Sequence, residues 1–274
     1  MLKQRIIFGA LGIVLAIAVL TLCPVYIIGI CMSVIAFLAL YEFYKVTGLF
    51  SKKSPMAYIG IAFCIIVCAM SVCLGADALF YVGLPVLAFV FLLMLANVFF
   101  SGKTTLSDAA LSFLGSVYIT LFFAHLYFVR LLEHGSILIW LLFVSAWATD
   151  SFAYFSGMGF GKHKLCPSIS PKKTVEGAVG GVLGCVLIDI LFLFVISKFN
   201  EITLNYINAT VLALTASVFS QIGDLVASRI KREYNVKDFG NLIPGHGGIL
   251  DRFDSALLIS PVVFYMLLIL PVIN

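Results

Sequence analysis

Long apolar runs separated by short polar breaks dominate the sequence, and they restrict the chain to a membrane-spanning fold. A helix needs about 20 predominantly apolar residues to cross a bilayer. Nine runs approach this length, at approximately residues 5–23, 25–45, 57–75, 79–100, 108–130, 136–157, 174–197, 204–230 and 253–273. Only 11% of the 274 residues are charged, whereas a soluble domain carries roughly 25%. We therefore expect an all-α, polytopic integral membrane protein with about nine transmembrane helices.

The first run and the cysteines both have ordinary membrane interpretations. The run after Lys3 and Arg5 is longer than the roughly 7–15 apolar residues of a signal peptide, and no small-x-small cleavage site follows it. We expect it to be a retained helix. The seven cysteines lie mostly within apolar runs and show neither CxxC nor His/Cys spacing, so we interpret them as small apolar residues.

Lysine and arginine are distributed unevenly between the two sides of the predicted helices. If the N-terminus is cytoplasmic and nine spans alternate, 15 of the 17 basic residues lie at inside ends, and only Arg130 and Lys198 lie outside. Cytoplasmic segments carry such an excess of positive charge. The pattern predicts a multi-pass protein of the cell (inner) membrane with cytoplasmic loops at 158–173 and 231–252. We also expect two regions, about five N-terminal helices (1–132) and a C-terminal region (133–274) that contains both loops.

Acidic residues inside the predicted spans need partners, because an Asp at the centre of a spanning helix costs about 2.5–3.5 kcal/mol on insertion scales. Asp150 shares a helix face with Tyr154, four residues later. Asp189 is expected to be an interhelical hydrogen-bond partner or a residue in the outer half of its helix. Glu42 and Asp108 are expected to meet the membrane interface at helix ends.

Two later spans carry polar stripes near their predicted cytoplasmic ends. The aligned positions are Gln221, Asp224, Ser228 and Lys231 in the eighth span, and Asp251, Asp254 and Ser255 in the ninth. Asp224 and Asp251 bracket a charged loop. We expect these two carboxylates to converge and bind Mg²⁺, a hard ion that prefers oxygen ligands and often shares them with phosphates.

The segment "CPSISPKKTVEG" (166–177) predicts a helix start with an anion site. Ser170 is a candidate N-cap and Pro171 a candidate first helical residue, which places Lys172 and Lys173 in the first turn. Positive side chains there oppose the helix dipole unless an anion such as phosphate binds. The alternative is that both lysines only mark the cytoplasmic side of the helix.

The segment "PGHGGILDR" (244–252) places three glycines around His246. Glycine permits close backbone approach, and backbone N–H groups bind phosphate oxygens. The charged residues on either side are Lys231, Arg232, Lys237, Arg252, Asp224, Asp238, Asp251 and Asp254. Together they predict a phosphate-plus-metal site at the membrane surface, suited to phosphoryl or nucleotidyl transfer. His246 is interpreted as an acid, a donor to phosphate or a residue that holds the loop by a hydrogen bond.

The stretch "SRIKREYNVKDFGNLIPGHGGILDRFD" (228–254) resembles the signature of the phosphatidate cytidylyltransferase (CDP-diacylglycerol synthase) family. The matching positions are Ser228, Lys231, Arg232, Lys237, Asp238, Pro244, His246, Gly247, Gly248, Asp251, Arg252 and Asp254. The upstream block "DSFAYFSGMGFGKHKLCPSISPKKTVEG" (150–177) is also similar to the family, although Met158 stands where a basic residue is expected. Over the first 130 residues the resemblance extends to hydropathy alone.

The resemblance implies a C-terminal catalytic region that converts CTP and phosphatidic acid into CDP-diacylglycerol and pyrophosphate. The implied cofactor is Mg²⁺, and whether a second cation binds beside it stays open. The implied catalytic set is Asp150, Lys173, Asp224 and Asp251, with Asp224 and Asp251 holding the metal. The implied substrate-binding set is Lys172, Thr174, Glu176, Ser228, Lys231, Arg232, Lys237, Asp238, His246, Gly247, Gly248, Arg252 and Asp254. A homodimer is expected from the family, and no nucleic-acid partner.

Other classes of protein remain as alternatives. An ion-coupled secondary transporter would use Asp150, Asp189 and Asp224 as a cation path. Such sites lie near the bilayer midplane, often between inverted repeats, whereas the polar residues here crowd one end of the helices and no repeat is visible. A lipid kinase, or a cytidylyltransferase for another lipid phosphate, stays open because no residue identifies the nucleotide base. A structural scaffold would leave the charged loop unexplained.

Overall fold

The computed structural model of the chain describes residues 12, 14–50, 54–242, 245 and 247–273. Over these ranges the chain is helical except for one short β-hairpin, an isolated bridge and connecting turns. The chain forms two compact units. The first combines Met1–Leu131 with Tyr234–Arg252, and the second combines Leu132–Glu233 with Phe253–Asn274. The segment Tyr234–Arg252, called here the signature loop, therefore packs with the N-terminal helices.

Between residues 25 and 131, the first unit contains six α-helices. They are α1 (Val25–Val46), α2 (Pro55–Leu74), α3 (Ala78–Tyr81), α4 (Gly83–Phe99), α5 (Leu106–Ser116) and α6 (Phe122–Leu131). A 3-10 turn, Gly75–Asp77, precedes α3, and a π-helical turn, Val117–Leu121, joins α5 to α6.

Local capping explains where two of these helices begin. Ser54 Oγ accepts a hydrogen bond from the Met56 N–H at 3.3 Å, and Pro55 occupies the first position of α2, where a missing N–H costs nothing. Thr105 and Asp108 form a capping box at the start of α5. The sequence therefore fixes both helix starts by short-range hydrogen bonds.

Apolar side chains from three helices form a core of this unit. Met56, Phe63 and Val67 of α2 pack with Phe89 and Leu93 of α4, and Ala109 of α5 joins the same cluster. The rings of Phe63 and Phe89 stack with centroids 4.4 Å apart. Such contacts between helices in a membrane depend on close van der Waals packing rather than on exclusion of water.

The second unit contains long helices and the hairpin. Its elements are α7 (Gly135–Phe160), β1 (Lys164–Cys166), β2 (Ser170–Thr174), α8 (Val175–Asn200), α9 (Tyr206–Glu233) and the part of α10 (Leu250–Ile269) that follows Arg252. The strands β1 and β2 are antiparallel.

Glycine allows α7 and α8 to approach closely. A Cβ atom at Gly177 would lie 2.8 Å from the Ala153 carbonyl oxygen and 3.1 Å from the Gly157 Cα atom. A Cβ atom at Gly181 would lie 3.0 Å from the Thr149 carbonyl oxygen. This spacing of small residues, four apart on one helix face, is typical of tightly packed membrane helices.

Seven helical segments in the described ranges are long and apolar enough to cross a membrane. They are Val25–Val46, Pro55–Tyr81, Leu106–Leu131, Gly135–Phe160, Val175–Asn200, Tyr206–Glu233 and Leu250–Ile269, and the predicted starts agree with these to within three residues. The all-α, polytopic prediction is confirmed. The apolar helix Gly83–Phe99 is shorter, at 17 residues. Residues 14–22 are helical, and the rest of the first predicted run, with Lys3 and Arg5, lies outside the described residues.

The predicted helix start at Ser170 and Pro171 is wrong. Residues Ser170–Thr174 form strand β2, and α8 begins at Val175. Thr174 is the N-cap, because its Oγ1 accepts a hydrogen bond from the Gly177 N–H at 3.1 Å. Pro171 fits the two-stranded hairpin, since an edge strand tolerates a residue without an N–H. Lys172 and Lys173 therefore lie outside the first turn of the helix.

Candidate active site

Five charged side chains of the second unit gather where α7, α9, α10 and β2 meet. We call Asp150, Asp224 and Asp254 the carboxylate cluster. Lys173 of β2 forms an ion pair with Asp224 of α9, and both side chains are about one quarter exposed, at 27% and 28%. Lys231 Nζ lies 3.9 Å from Asp254 Oδ2. Two lysines thus face three carboxylates.

The members of the carboxylate cluster interact with one another. Asp150 interacts electrostatically with Asp224 and Lys173, and its carboxylate forms a hydrogen bond with the Ser255 side chain. Asp254 interacts electrostatically with the carboxylates of Asp224 and Asp150. Among these five charged groups, three negative and two positive charges leave one negative charge without a counterpart when all are ionised. The Asp150 side chain is exposed at the protein surface.

The donor set fits a cation that is shared with a substrate. Within the described ranges, no three His, Cys, Asp or Glu side chains are placed to hold a metal ion by themselves. Mg²⁺ is usually bound by one or two carboxylates together with water and substrate phosphates. The carboxylate cluster offers oxygen ligands of that kind, with lysines beside them that suit phosphate.

Hydrogen bonds connect α7, α8 and α9 beside the cluster. Thr149 Oγ1 on α7 donates to Ser217 Oγ on α9 at 2.9 Å. Gln221 Nε2 on α9 donates to the Ala178 carbonyl on α8 at 3.2 Å. Asp189 on α8 accepts from Ser145 Oγ on α7 at 2.6 Å, so the interhelical role predicted for Asp189 is confirmed.

The hairpin that carries Lys173 is held by Glu176. The Glu176 carboxylate accepts hydrogen bonds from the Lys162 N–H at 3.0 Å and from the His163 N–H at 3.2 Å, and it contacts His163 Nδ1 at 2.6 Å. Arg232 Nε donates to the Ile169 carbonyl at 3.5 Å. Glu176, Thr174 and Arg232 therefore order the segment around Lys173, and their predicted contacts with substrate stay predictions.

The signature loop in the first unit is organised by Asp251. Asp251 Oδ2 accepts hydrogen bonds from the Phe239 N–H at 2.7 Å and the Gly248 N–H at 3.0 Å. Gly247 has a positive φ of 84°, which favours glycine. The Gly248 N–H, predicted to bind phosphate, donates to a carboxylate of its own loop, and its phosphate contact stays a prediction.

The predicted site residues divide between the two units. The second unit contains Asp150, Lys172, Lys173, Thr174, Glu176, Asp224, Ser228, Lys231, Arg232 and Asp254. The first unit contains Lys237, Asp238, Gly247, Gly248, Asp251 and Arg252. His246 lies outside the described residues. Asp224 and Asp251 belong to different units, and their shared metal ion stays a prediction.

Sequence reasoning missed the role of Glu42. Instead of meeting the membrane interface, its side chain is buried, and its carboxylate accepts hydrogen bonds from Ile249 and Leu250 in the signature loop. The one signal in the sequence is an acidic residue in an otherwise apolar helix. Its partners are more than 200 residues away in the chain.

Comparison with known proteins gives a consistent answer. The chain is 41% identical over 179 residues to the phosphatidate cytidylyltransferase of Bacillus subtilis, and the match covers 65% of each chain. It is 38% and 41% identical over 182 residues to the proteins of that name from Staphylococcus haemolyticus and Staphylococcus saprophyticus, a match that covers 66% of this chain and 68% of each relative. The sequence model of the Cytidylyltransferase family matches residues 3–270. The chain therefore belongs to the cytidylyltransferase family.

Proposed function

We propose that this chain is a phosphatidate cytidylyltransferase, which transfers CMP from CTP to phosphatidic acid and releases pyrophosphate. The family membership and the names of the relatives support a nucleotidyltransferase. They also favour an enzyme over an ion-coupled transporter. The product would be CDP-diacylglycerol, an intermediate for phospholipid synthesis.

The proposal depends most on one observation, the ion pair of Lys173 and Asp224 within the carboxylate cluster. In the reaction, a phosphate oxygen of the lipid attacks the α-phosphorus of CTP. The bond from that phosphorus to the β-phosphate oxygen breaks, and its electron pair leaves with pyrophosphate. The lipid phosphate is already ionised at neutral pH, so the site needs alignment and charge neutralisation more than a strong base.

The lysines beside the cluster fit the charge of the substrates. Lys173 and Lys231 would contact phosphate oxygens, and each already lies next to a carboxylate that sets its position. Preorganised charges of this kind stabilise a transition state because they need no rearrangement during the reaction. Lys172, Arg232, Lys237 and Arg252 remain candidates for further phosphate contacts.

Mg²⁺ is the proposed cofactor, with Asp224 as its first ligand and Asp254 or Asp150 of the same cluster as further ligands. Asp251, the other predicted ligand, stays a candidate although its Oδ2 already accepts two backbone N–H groups. When bound, the ion would neutralise triphosphate charge beside an anionic lipid. The five charged groups of the site carry one excess negative charge, so a second cation would need the negative charge of the substrate phosphates.

The proposal includes a topology. The seven long segments, the shorter helix Gly83–Phe99 and the first apolar run would make nine spans. The distribution of lysine and arginine supports a cytoplasmic N-terminus and an active site at the cytoplasmic face of the cell (inner) membrane. The resemblance to the family supports a homodimer.

Position-specific labelling tests the function. Purified protein with Mg²⁺ is given phosphatidic acid or diacylglycerol, each of the four nucleoside triphosphates, and ³²P at the α- or the γ-phosphate. We expect the α-label to enter the lipid only with CTP and phosphatidic acid, and the γ-label to appear in pyrophosphate. A γ-labelled lipid would indicate a kinase, and absence of α-labelled lipid with phosphatidic acid and CTP would contradict the proposed function.

A further inference from the structure

We infer that Glu42 of α1 is a positioning residue, which fixes the signature loop and the first turn of α10 for the transfer reaction. The inference rests on the proposed function, because it gives the N-terminal helices a part in that activity. Glu42 lies outside both blocks that resemble the family. Its distance from them in sequence is why its role emerges only from the fold.

The Glu42 carboxylate binds the beginning of α10 with both oxygens. Oε1 accepts from the Ile249 N–H and Oε2 from the Leu250 N–H, each at 3.0 Å. Leu250 is the first residue of α10, and the first N–H groups of a helix have no partner within the helix. A carboxylate placed there satisfies the Leu250 N–H and is also favoured by the helix dipole. Glu42 is only 6% exposed, so water competes little for these hydrogen bonds.

Two glycines let the loop pass directly over this carboxylate. A Cβ atom at Gly240 or at Gly248 would overlap the carboxyl group of Glu42. Neither glycine has a positive φ. Lack of space above Glu42, rather than an unusual backbone conformation, therefore explains glycine at both positions.

Glu42 and Asp251 hold the loop together. Glu42 accepts the N–H groups of Ile249 and Leu250, and Asp251 accepts those of Phe239 and Gly248. Asp251 belongs to the signature itself, so Glu42 is the anchor that α1 contributes. The loop carries Lys237 and Arg252, two proposed phosphate ligands, and its placement sets where these charges lie.

Hydrogen exchange and kinetics of the full chain in lipid nanodiscs test the inference. The variants are Glu42→Gln and Glu42→Ala, with Glu201→Gln as a control at an exposed glutamate. Gln has nearly the same shape as Glu but offers one acceptor, and its NH₂ group would face the other N–H. We expect exchange at Ile249 and Leu250 to rise at least about tenfold in Glu42→Gln, and more in Glu42→Ala. Phe239 and Gly248, held by Asp251, should change less.

Turnover should follow the same order. We expect kcat to fall about tenfold in Glu42→Gln and further in Glu42→Ala, with KM for CTP changed less than about threefold. The reason is that a misplaced loop reduces stabilisation of the transition state more than it reduces initial substrate binding. Glu201→Gln should match the unmodified chain. A purely space-filling role predicts that Glu42→Gln behaves as the unmodified chain, and that result in both measurements would overturn the inference.

Gly240→Ala approaches the same contact from the loop side, and Gly240 has no proposed substrate contact. We expect Gly240→Ala to raise exchange at Ile249 and Leu250, and the double variant Glu42→Ala/Gly240→Ala to resemble Glu42→Ala alone, because the two changes remove one contact. The inference would be contradicted if the increases in exchange from the two single changes multiplied in the double variant, or if exchange were unchanged in Gly240→Ala. Exchange is measured without substrate, so altered exchange in a chain that makes no CDP-diacylglycerol would refute the function while leaving the loop anchor intact.

Discussion

Lys173 lies in a short strand outside the membrane-spanning helices, and its ammonium group forms an ion pair with Asp224 of α9. Both side chains are partly exposed, so water screens the pair and its contribution to stability is small. The pair is important because it fixes the position of the Lys173 ammonium group beside two more carboxylates, Asp150 and Asp254. A triphosphate with its metal ion would meet charges of both signs already in place.

The two neighbouring lysines should differ in their effect on turnover. Lys173→Ala removes the partner of Asp224, and we expect at least about a tenfold loss of kcat/KM for CTP, because a charge-assisted contact to phosphate is lost. Lys172 is exposed, and successive side chains of a strand point to opposite faces, so Lys172→Ala should lose less than about threefold. Steady-state kinetics at fixed phosphatidic acid would measure both. Equal losses would show that strand β2 contributes only its overall charge.

Some site residues could be found from the sequence and others could not. Asp224 and Asp150 stand out because a carboxylate in an apolar helix needs a reason. Lys173 was predicted as part of a first helical turn, but it lies in β2, directly before the Thr174 N-cap of α8. Glu42 was missed because its hydrogen-bond partners lie in a loop more than 200 residues later, and no local pattern encodes that contact.

At the scale of elements, the packing of α7 against α8 positions Asp150 and β2 within the second unit. The helices approach closely because Gly177 and Gly181 present no side chain to the backbone of α7. The apolar runs predicted the helices well, since a bilayer demands length and hydrophobicity. The apolar run predicted the start of α8 to within one residue, but the capping argument placed it at Ser170. Ser170 and Thr174 are both acceptable N-caps, and pairing of Ser170 with Cys166 in the hairpin decides between them.

Adding one methyl group at this contact should separate packing from helix propensity. Gly177→Ala would place a Cβ atom 2.8 Å from the Ala153 carbonyl oxygen, and we expect a loss of about 1–3 kcal/mol in the free energy of unfolding. Gly159→Ala in α7 meets nothing within 4 Å, so it should be neutral or stabilise by up to about 1 kcal/mol. Denaturant unfolding in detergent would compare them. Equal changes in the free energy of unfolding would show that the close approach of α7 and α8 does not contribute to stability.

At the scale of the whole molecule, the proposed topology fixes which side of the membrane each polar segment faces. Fusions to a fluorescent protein that folds only inside the cell and to a phosphatase that acts only outside would test it. We expect inside signals after Lys103 and Lys237 and outside signals after His134 and Asn200, following the bias of basic residues. An outside signal after Lys237 would contradict a cytoplasmic active site.

The central claim is that the carboxylate cluster carries out CMP transfer to a lipid phosphate. Its most direct test is pyrophosphate release from CTP by proteoliposomes that contain phosphatidic acid and Mg²⁺. Asp224→Asn keeps the volume of the side chain and removes its charge, and Asp189→Asn makes the same change at a buried carboxylate of α8 that we assign to helix packing.

We predict that Asp224→Asn lowers turnover by at least about a hundredfold, because the proposed Mg²⁺ loses a charged ligand and Lys173 loses its partner. Asp189→Asn should stay within about threefold of the unmodified chain. Both variants should insert into the membrane and show unfolding transitions close to that of the unmodified chain. Near-normal pyrophosphate release by well-folded Asp224→Asn would contradict the account.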